Sequence, residues 1–332
     1  MKILFPVEFM IPALKYGGTE RVVWDLMKGL KELGHTVCVA TTNTNIKPNE
    51  IFEVIRIDSV KNLQEHIPKD VDLVHFNYGY TAEVDVPVLS TYHGSIYDNE
   101  FIPDNSNFVS KNHANRHGWK TFVYNGLDFS DLPELNTDIK REGLTFLGNA
   151  AWRAKNVKGA IRFAQKAGKM LHVLGGKRFN FISGKRLQVR LTFDQSIKFH
   201  GMVDNKYKYK ILNKSEALVS NVLCDEAFGL ALIEAMACGC PVIGVPRGSL
   251  TELIGPEEGF LSEDPLEQIN FLEKLKGIDR VRLSKKTKEL YSYKKMTSSY
   301  VDLYKRILSG EKLGNSKDFH PCVRTPYKRV FQ

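Results

Sequence analysis

Cysteine is scarce, with five residues in 332: Cys38, Cys224, Cys238, Cys240 and Cys322. An odd, small number excludes a secreted disulfide framework and leads us to expect a reduced, cytoplasmic protein. No apolar run approaches the roughly 20 residues that a membrane span needs, and the one at residues 230–236 is interrupted by charge. The apolar opening, residues 1–8, is too short for a signal-peptide core and reads as a strand and loop. Gly-x-Gly-x-x-Gly is absent, which removes the dinucleotide fingerprint, and so is the Gly-x-x-x-x-Gly-Lys-Ser/Thr of a P-loop. Short repeats, low-complexity tracts and zinc-ligand spacings are missing too. Cys224, Cys238 and Cys240 are therefore expected to be packing residues.

A chain of 332 residues is too long for one ordinary core and predicts about two domains. Its charge is unevenly placed. Residues 1–127 hold 12 Lys and Arg against 15 Asp and Glu, whereas the rest hold 35 against 23, so the net +9 comes from the second part. A basic half favours a polyanionic partner without choosing among nucleic acid, phosphates and a membrane surface.

The first part alternates apolar runs with helical patterns. Residues 2–7 are β-rich, and Gly17-Gly18-Thr19-Glu20 then opens a stripe of Val22, Val23, Leu26, Met27 and Leu30 that Gly34 stops. Further runs at 36–42, 52–57, 71–76, 87–92, 107–110 and 121–124 suit strands buried on both faces of a parallel sheet. Only residues 79–86 separate two of them, too few for a full helix. Asn125-Gly126-Leu127-Asp128 is a turn signal, and the polar stretch behind it, with Pro133, is the expected linker. The alternation then restarts, with strands at 144–147, 170–174, 197–199, 216–220 and 241–245 and helices at 156–167 and 230–238. We expect an α/β chain with two Rossmann-like domains, 1–127 and 128–296. Met296, Tyr300, Leu303, Tyr304, Ile307 and Leu308 mark a closing helix at about 297–310; residues 311–332 receive no assignment.

The densest signal runs from Asp225 to Pro241. Glu226 falls in a loop leaving a strand, and Gly229 marks a helix start. The N–H groups of Phe228, Gly229 and Leu230 there lack intrahelical acceptors, and the helix dipole is positive, which makes an anion site. Glu234 lies about 8 Å farther along the helix, among apolar neighbours, where a carboxylate needs a partner. Ala231 and Cys238 are small and leave room for a ligand beside it. A second element, Gly148 to Gly159, follows a strand and precedes a helix. Its Arg153, Lys155 and Lys158 are spaced to clamp a pyrophosphate, although a charged first turn is common on surface helices. Gly17-Gly18 loosely resembles a phosphate-binding turn. His93 follows a strand directly, at the end where α/β sheets place ligands, although a lone histidine there is more often structural. His113 and His117 lack the glutamate of a zincin motif and are expected on the surface.

These motifs together resemble a family 4 retaining glycosyltransferase of the GT-B fold, over nearly the whole chain. Gly17-Gly18-Thr19-Glu20-Arg21 through His35-Thr36-Val37 is similar to the family's opening, and Val123-Tyr124-Asn125-Gly126-Leu127-Asp128 to the end of its first domain. Phe199-His200-Gly201-Met202-Val203 resembles the strand whose following loop meets the nucleotide base. Glu226 and Glu234 match the Glu-x7-Glu motif, the most specific of these signals, and residues 246–254 match the stretch after it.

The resemblance implies two domains facing each other across a cleft, with the closing helix crossing back to the first. It implies a nucleoside-diphosphate sugar as donor, a UDP-sugar rather than a GDP-sugar, bound mainly by the second domain. The acceptor would be a carbohydrate or other hydroxyl compound, lipid-linked ones included, with retention at the anomeric carbon and neither metal nor cofactor required. Glu234 would hold the ribose, and Met202 and Val203 would lie at the base. Glu226 and the N–H groups of Phe228, Gly229 and Leu230 would hold the donor sugar and β-phosphate, with Gly17 and Gly18 also on the donor. Lys155 matches the family's phosphate-binding lysine and His93 its first-domain histidine near the donor sugar, so Glu226, His93 and Lys155 are the catalytic candidates. The arginine usual after Gly148 is Asn149 here, and Arg153 is expected to supply its charge. The usual Pro-Ser after the fourth strand of the second domain is Asn221-Val222.

Elementary chemistry agrees. Charge develops on a departing pyrophosphate, and cations with a helix N-terminus stabilise it. Retaining glycosidases set two carboxylates about 5 Å apart, closer than one helix allows Glu226 and Glu234. A front-face transfer, in which the departing phosphate helps take the acceptor proton, is therefore expected. A sugar-nucleotide epimerase of the same fold and a non-catalytic partner subunit are the alternatives; the intact Glu226, Lys155 and His93 speak against the latter. No nucleic-acid partner is expected, and the net-acidic first domain shows no basic face for a membrane.

Overall fold

The computed structural model describes residues 1–13, 17–79, 82–176 and 194–331. It divides into two compact units, Met1–Asp128 with Tyr291–Arg324, and Phe129–Leu290 with Thr325–Gln332.

In the first unit, six strands form one sheet: β1 (Lys2–Pro6), β2 (Thr36–Thr41), β3 (Glu53–Arg56), β4 (Leu73–Phe76), β5 (Val88–Tyr92) and β6 (Ser106–Phe108). Their order is β3-β2-β1-β4-β5-β6, and every pairing is parallel. The near-continuous apolar runs follow from that arrangement, since central parallel strands are covered on both faces. Helix α1 (Gly18–Glu32) buries Val22, Val23, Leu26, Met27 and Leu30, the stripe read from the sequence. No helix joins β4 to β5 among the described residues.

Residues 121–124 were expected as a strand and are not one. They make a single parallel bridge, Phe108 to Phe122, beside the three-residue β6, which is too short to pair further. The short helix α2 (Lys111–Arg116) holds His113, with His117 at its C-terminal end, and both are buried rather than on the surface. Ser110 caps this helix, and both imidazoles pack on Phe108, with His117 also stacked on Phe319. The aromatic neighbours, not the polar residues between the two histidines, decide the burial.

The second unit repeats the plan. Strands β7 (Leu144–Leu147), β8 (Leu171–Leu174), β9 (Ile197–Gly201), β10 (Ala217–Ser220), β11 (Val242–Gly244) and β12 (Gly259–Leu261) lie in the order β12-β11-β10-β7-β8-β9, all parallel. Helices α3 (Val157–Lys166), α4 (Asn205–Lys214), α5 (Leu230–Ala237), α6 (Leu250–Leu253), α7 (Pro265–Lys274) and α8 (Arg280–Leu290) follow in chain order. One core cluster joins β7, β8 and β10 to α3 through residues such as Phe146, Ile161, Phe163, Val173 and Val219.

The closing helix α9 spans Tyr293–Leu308, starting four residues before the expected 297 because Ser292 caps it through the N–H of Lys295. It belongs to the first unit. Tyr304 bonds its hydroxyl to His75 Nδ1 at 2.8 Å, and Tyr300 accepts from Asn107 Nδ2 at 3.2 Å, so buried polar groups of the sheet are satisfied by this helix. No described helix is long and apolar enough to cross a membrane.

Candidate active site

In each sheet the chain starts at an inner strand, builds outward to one side, and then returns to the other. The strand order therefore reverses between β1 and β4 and between β7 and β10. Doubly wound sheets bind ligands at the carboxyl ends of such neighbouring strands. In the second unit, the loop after β7 carries Arg153 and Lys155, and the loop after β10 carries Glu226.

Those two loops are tied together. Residues Arg153–Lys155 form a 3-10 turn, followed by Asn156 in the left-handed region at φ 54°. Asn156 donates from Nδ2 to the carbonyl of Asn221 at 2.6 Å, and its Oδ1 caps α3 by accepting from Gly159 N–H. Leu223 N–H donates to the carbonyl of Ala154 at 2.7 Å. The outcome is an ion pair, Lys155 Nζ to Glu226 Oε2 at 2.6 Å, with both side chains largely shielded from water. Burial opposes the charge on Lys155, but the facing carboxylate outweighs it, and the lysine pKa lies above its ordinary value.

Backbone geometry holds Glu226 from the other side. Glu226 bridges Gly248, which sits at φ +59°, and a Cβ on Gly248 would come within 2.3 Å of the Glu226 carbonyl oxygen. Only glycine fits there. Ser249 adds two bonds, its N–H to the Glu226 carbonyl at 2.9 Å and its hydroxyl to the Phe228 carbonyl at 2.7 Å. Gly229 is the N-cap of α5 at φ 91°, so Leu230 begins the helix and the positive end of its dipole lies beside Glu226.

Glu234, on α5, is 4% exposed. The partner that its apolar surroundings demand is Lys208 of α4, with Nζ to Oε1 at 2.5 Å and both side chains 5% exposed. Lys208 also donates to Asn205 Oδ1 at 2.8 Å and lies over the Tyr209 ring. Sequence reasoning missed Lys208. Lys206, Lys208, Lys210 and Lys214 all sit on α4, and the only signal was that one of them falls on its apolar face beside Tyr209 and Leu212.

Asn221 and Val222 replace the expected Pro-Ser without loss of order. The Asn221 side-chain amide exchanges two hydrogen bonds with Gln268, at 3.1 and 3.0 Å, and Val222 is buried. Asn149 shapes its own loop by accepting the N–H of Ala151 at 3.0 Å. Arg153 is exposed on the 3-10 turn. Met202 and Val203 lie between β9 and α4, with Met202 half exposed, and Asp204 caps α4 through Tyr207 N–H at 2.7 Å. Just before them, His172, His200 and Tyr207 form a chain, Nδ1 to Nε2 at 2.9 Å and Nδ1 to the hydroxyl at 3.0 Å.

Gly17, Gly18 and His93 lie in the first unit. Gly17 precedes α1 in extended backbone, and Gly18 is its first residue. His93 follows β5 and bonds through Nε2 to Asn77 Oδ1 at 3.2 Å, at the end of β4. Burial lowers its pKa to about 4, so it is neutral at pH 7. Cys238 and Cys240 are buried, as packing residues should be, whereas Cys224, on the loop after β10, is only half-buried. Among the described residues there is no group of three His, Cys, Asp or Glu side chains that could hold a metal ion.

Two family models match. The model for glycosyl transferases group 1 covers residues 131–290, and that for Glycosyltransferase Family 4 covers residues 16–128. A Bacillus anthracis N-acetyl-alpha-D-glucosaminyl L-malate synthase is 30% identical over 155 residues, which are 44% of this chain and 39% of that protein. A Propionibacterium freudenreichii phosphatidyl-myo-inositol mannosyltransferase is 28% identical over 67 residues, 20% of this chain and 18% of that protein. The matched stretches thus span well under two thirds of these relatives.

Among solved structures, AviGT4, a glycosyltransferase involved in avilamycin A biosynthesis, aligns with a TM-score of 0.75 at 20% identity, over 93% of this chain and 98% of that one. An Anabaena protein crystallised with UDP and glucose aligns at 0.64 and 16% identity, over 91% and 98%. At these identities the structures show the fold, which is the GT-B fold of two parallel six-stranded sheets. With both domain models matched and Glu-x7-Glu at the reversal of the second sheet, the chain belongs to the family 4 glycosyltransferases of the GT-B fold.

Proposed function

We propose that the chain transfers a sugar, with retention and without a required metal, from a nucleoside-diphosphate sugar held by the second unit to a carbohydrate or other hydroxyl acceptor. The observation that carries this is the Lys155–Glu226 pair at the N-terminus of α5. A cation and a helix dipole converge where a leaving pyrophosphate needs stabilising, beside a carboxylate suited to sugar hydroxyls.

In this reading the bond from the anomeric carbon to the phosphate oxygen breaks while the acceptor oxygen bonds on the same face. The acceptor proton passes to the departing phosphate. Lys155, with Arg153, neutralises the diphosphate, and Glu226 fixes Lys155 and meets the sugar. Glu234, held by Lys208, takes the ribose, and Met202 and Val203 flank the base, with a UDP-sugar the favoured donor. His93 serves as a neutral hydrogen-bonding group. The positive groups named here, rather than a carboxylate cluster, support metal independence.

The test is a panel of UDP-, GDP- and ADP-sugars with sugar acceptors, read by nucleoside diphosphate release and by NMR of the product's anomeric proton. One donor should be consumed, in EDTA as well, to give a product of the donor's anomeric configuration. An inverted product, or turnover that EDTA stops and Mg²⁺ restores, would overturn it. Epimerised sugar nucleotide without acceptor would favour the epimerase alternative.

A further inference from the structure

The last residues of the chain leave the first unit and pack within the second. Phe331 is fully buried in the second unit's core, edge-on to Phe163 at 5.2 Å between ring centroids, with Val330 packed on the same cluster. Ahead of this anchor, Tyr327 does two things. Its ring lies 4.2 Å from the Arg247 guanidinium carbon, and its hydroxyl donates to Asp225 Oδ1 at 2.6 Å. Burial pushes the phenol up to about 12, and the Asp225 carboxylate adds to it, so the group stays a donor throughout the neutral range.

Arg247 is 3% exposed and joins three segments. It donates to the Val222 carbonyl at 2.5 Å, to Glu263 Oε1 at 2.8 and 3.2 Å, and to the Lys328 carbonyl at 3.1 Å. Asp225 immediately precedes Glu226. The loop that carries Glu226 is therefore gripped at Val222 by Arg247 and at Asp225 by Tyr327, and both grips are joined in the stack of ring on guanidinium.

We propose that Tyr327 is a positioning residue for the donor site: its hydroxyl holds Asp225 so that Glu226 keeps its place against Lys155. The role rests on the reading of Glu226 given above. Such residues act through geometry, and a small misplacement of a catalytic group lowers turnover far more than it lowers binding. The tail thus serves the chemistry of the second unit as well as its core.

The test is Tyr327→Phe in the full chain, which removes one oxygen and leaves the ring stack and the Phe331 anchor in place. Two readouts are taken. Hydrogen exchange of the amides at residues 222–227 should speed up about tenfold or more, the worth of one charge-assisted bond, while residues 157–166 stay protected. Nucleoside diphosphate release, on the donor the wild type consumes, should show kcat down about tenfold with donor KM within twofold. Asp225→Ala should lose as much, and the double variant no more than either single, since both act through one bond.

Unchanged exchange at 222–227 would overturn the proposal, and so would unchanged kcat. A fall in kcat matched by loss of protection across the whole unit would also overturn it, as a folding defect. Glu226→Gln in the same assay separates the two readings. If it is impaired while Tyr327→Phe is not, only the positioning role fails; if Glu226→Gln behaves as wild type, the assignment of the site fails.

Discussion

Asn156 holds a left-handed backbone at φ 54° and donates to the carbonyl of Asn221 at 2.6 Å. That bond joins the loops that end β7 and β10, and it is what brings Lys155 within reach of Glu226.

Two replacements of Asn156 should differ. Asn156→Gly keeps the positive φ and loses the side-chain bonds; Asn156→Ala loses the bonds and strains the backbone as well. Alanine should therefore be the more destabilising by about 1–2 kcal/mol. Denaturant titration of the three proteins measures the difference, and equal stability of the two variants would contradict it.

The Lys208–Glu234 pair is buried on both sides. Removing one partner strands the other charge, so Lys208→Met or Glu234→Leu should each cost about 3–5 kcal/mol. The double replacement should cost well under the sum. Additive losses would mean that the two side chains are not coupled.

Lys208 also shows where sequence reading ends. The strand and helix pattern, the Glu-x7-Glu block and its loop after β10 are properties of local periodicity and composition, and they were legible. That Glu234 requires a partner was legible too, because a carboxylate in an apolar helix cannot stay unpaired. Which of four lysines on α4 supplies it depends on how α4 packs on α5, and nothing local encodes that. The polar neighbours of His113 and His117 point to the surface, but Phe108, on the preceding strand, covers both, and Phe319, distant in the chain, stacks on His117. The grip of Tyr327 and Phe331 leaves no signal because a short segment without regular secondary structure has no periodicity to read.

Acid should destabilise the protein above the range where carboxylates titrate. Burial lowers His93, His117 and His172 to about 4, and His75 and His113 well below their ordinary value. Each protonates in the unfolded chain near 6.5 but in the folded chain only well below that, so the unfolded state takes up more protons between those values. Stability is full above about pH 6.5 and is lost as pH falls toward 4. Asp25, raised to about 6 mainly by burial, works in the opposite sense, but it is one group against five. Unfolding free energy measured from pH 7 to 4.5 should fall steadily; a flat profile would contradict these burials.

Lys155 should matter for phosphate and not for nucleoside. Lys155→Ala should weaken UDP binding about tenfold or more, the worth of one charge-assisted contact, and leave uridine binding nearly unchanged. Calorimetry with both ligands checks it. Equal loss for UDP and uridine would place the lysine away from the diphosphate.

The most direct measurement of the central claim compares Glu226→Gln with the wild type on one sugar nucleotide, with donor affinity and nucleoside diphosphate release taken in the same buffer. Glutamine keeps the size and removes the charge that faces Lys155. If Glu226 acts at the reacting sugar, kcat should fall about a hundredfold or more while the donor Kd stays within a few-fold. Normal turnover by Glu226→Gln, or a fall in turnover fully explained by lost donor binding, would contradict the account.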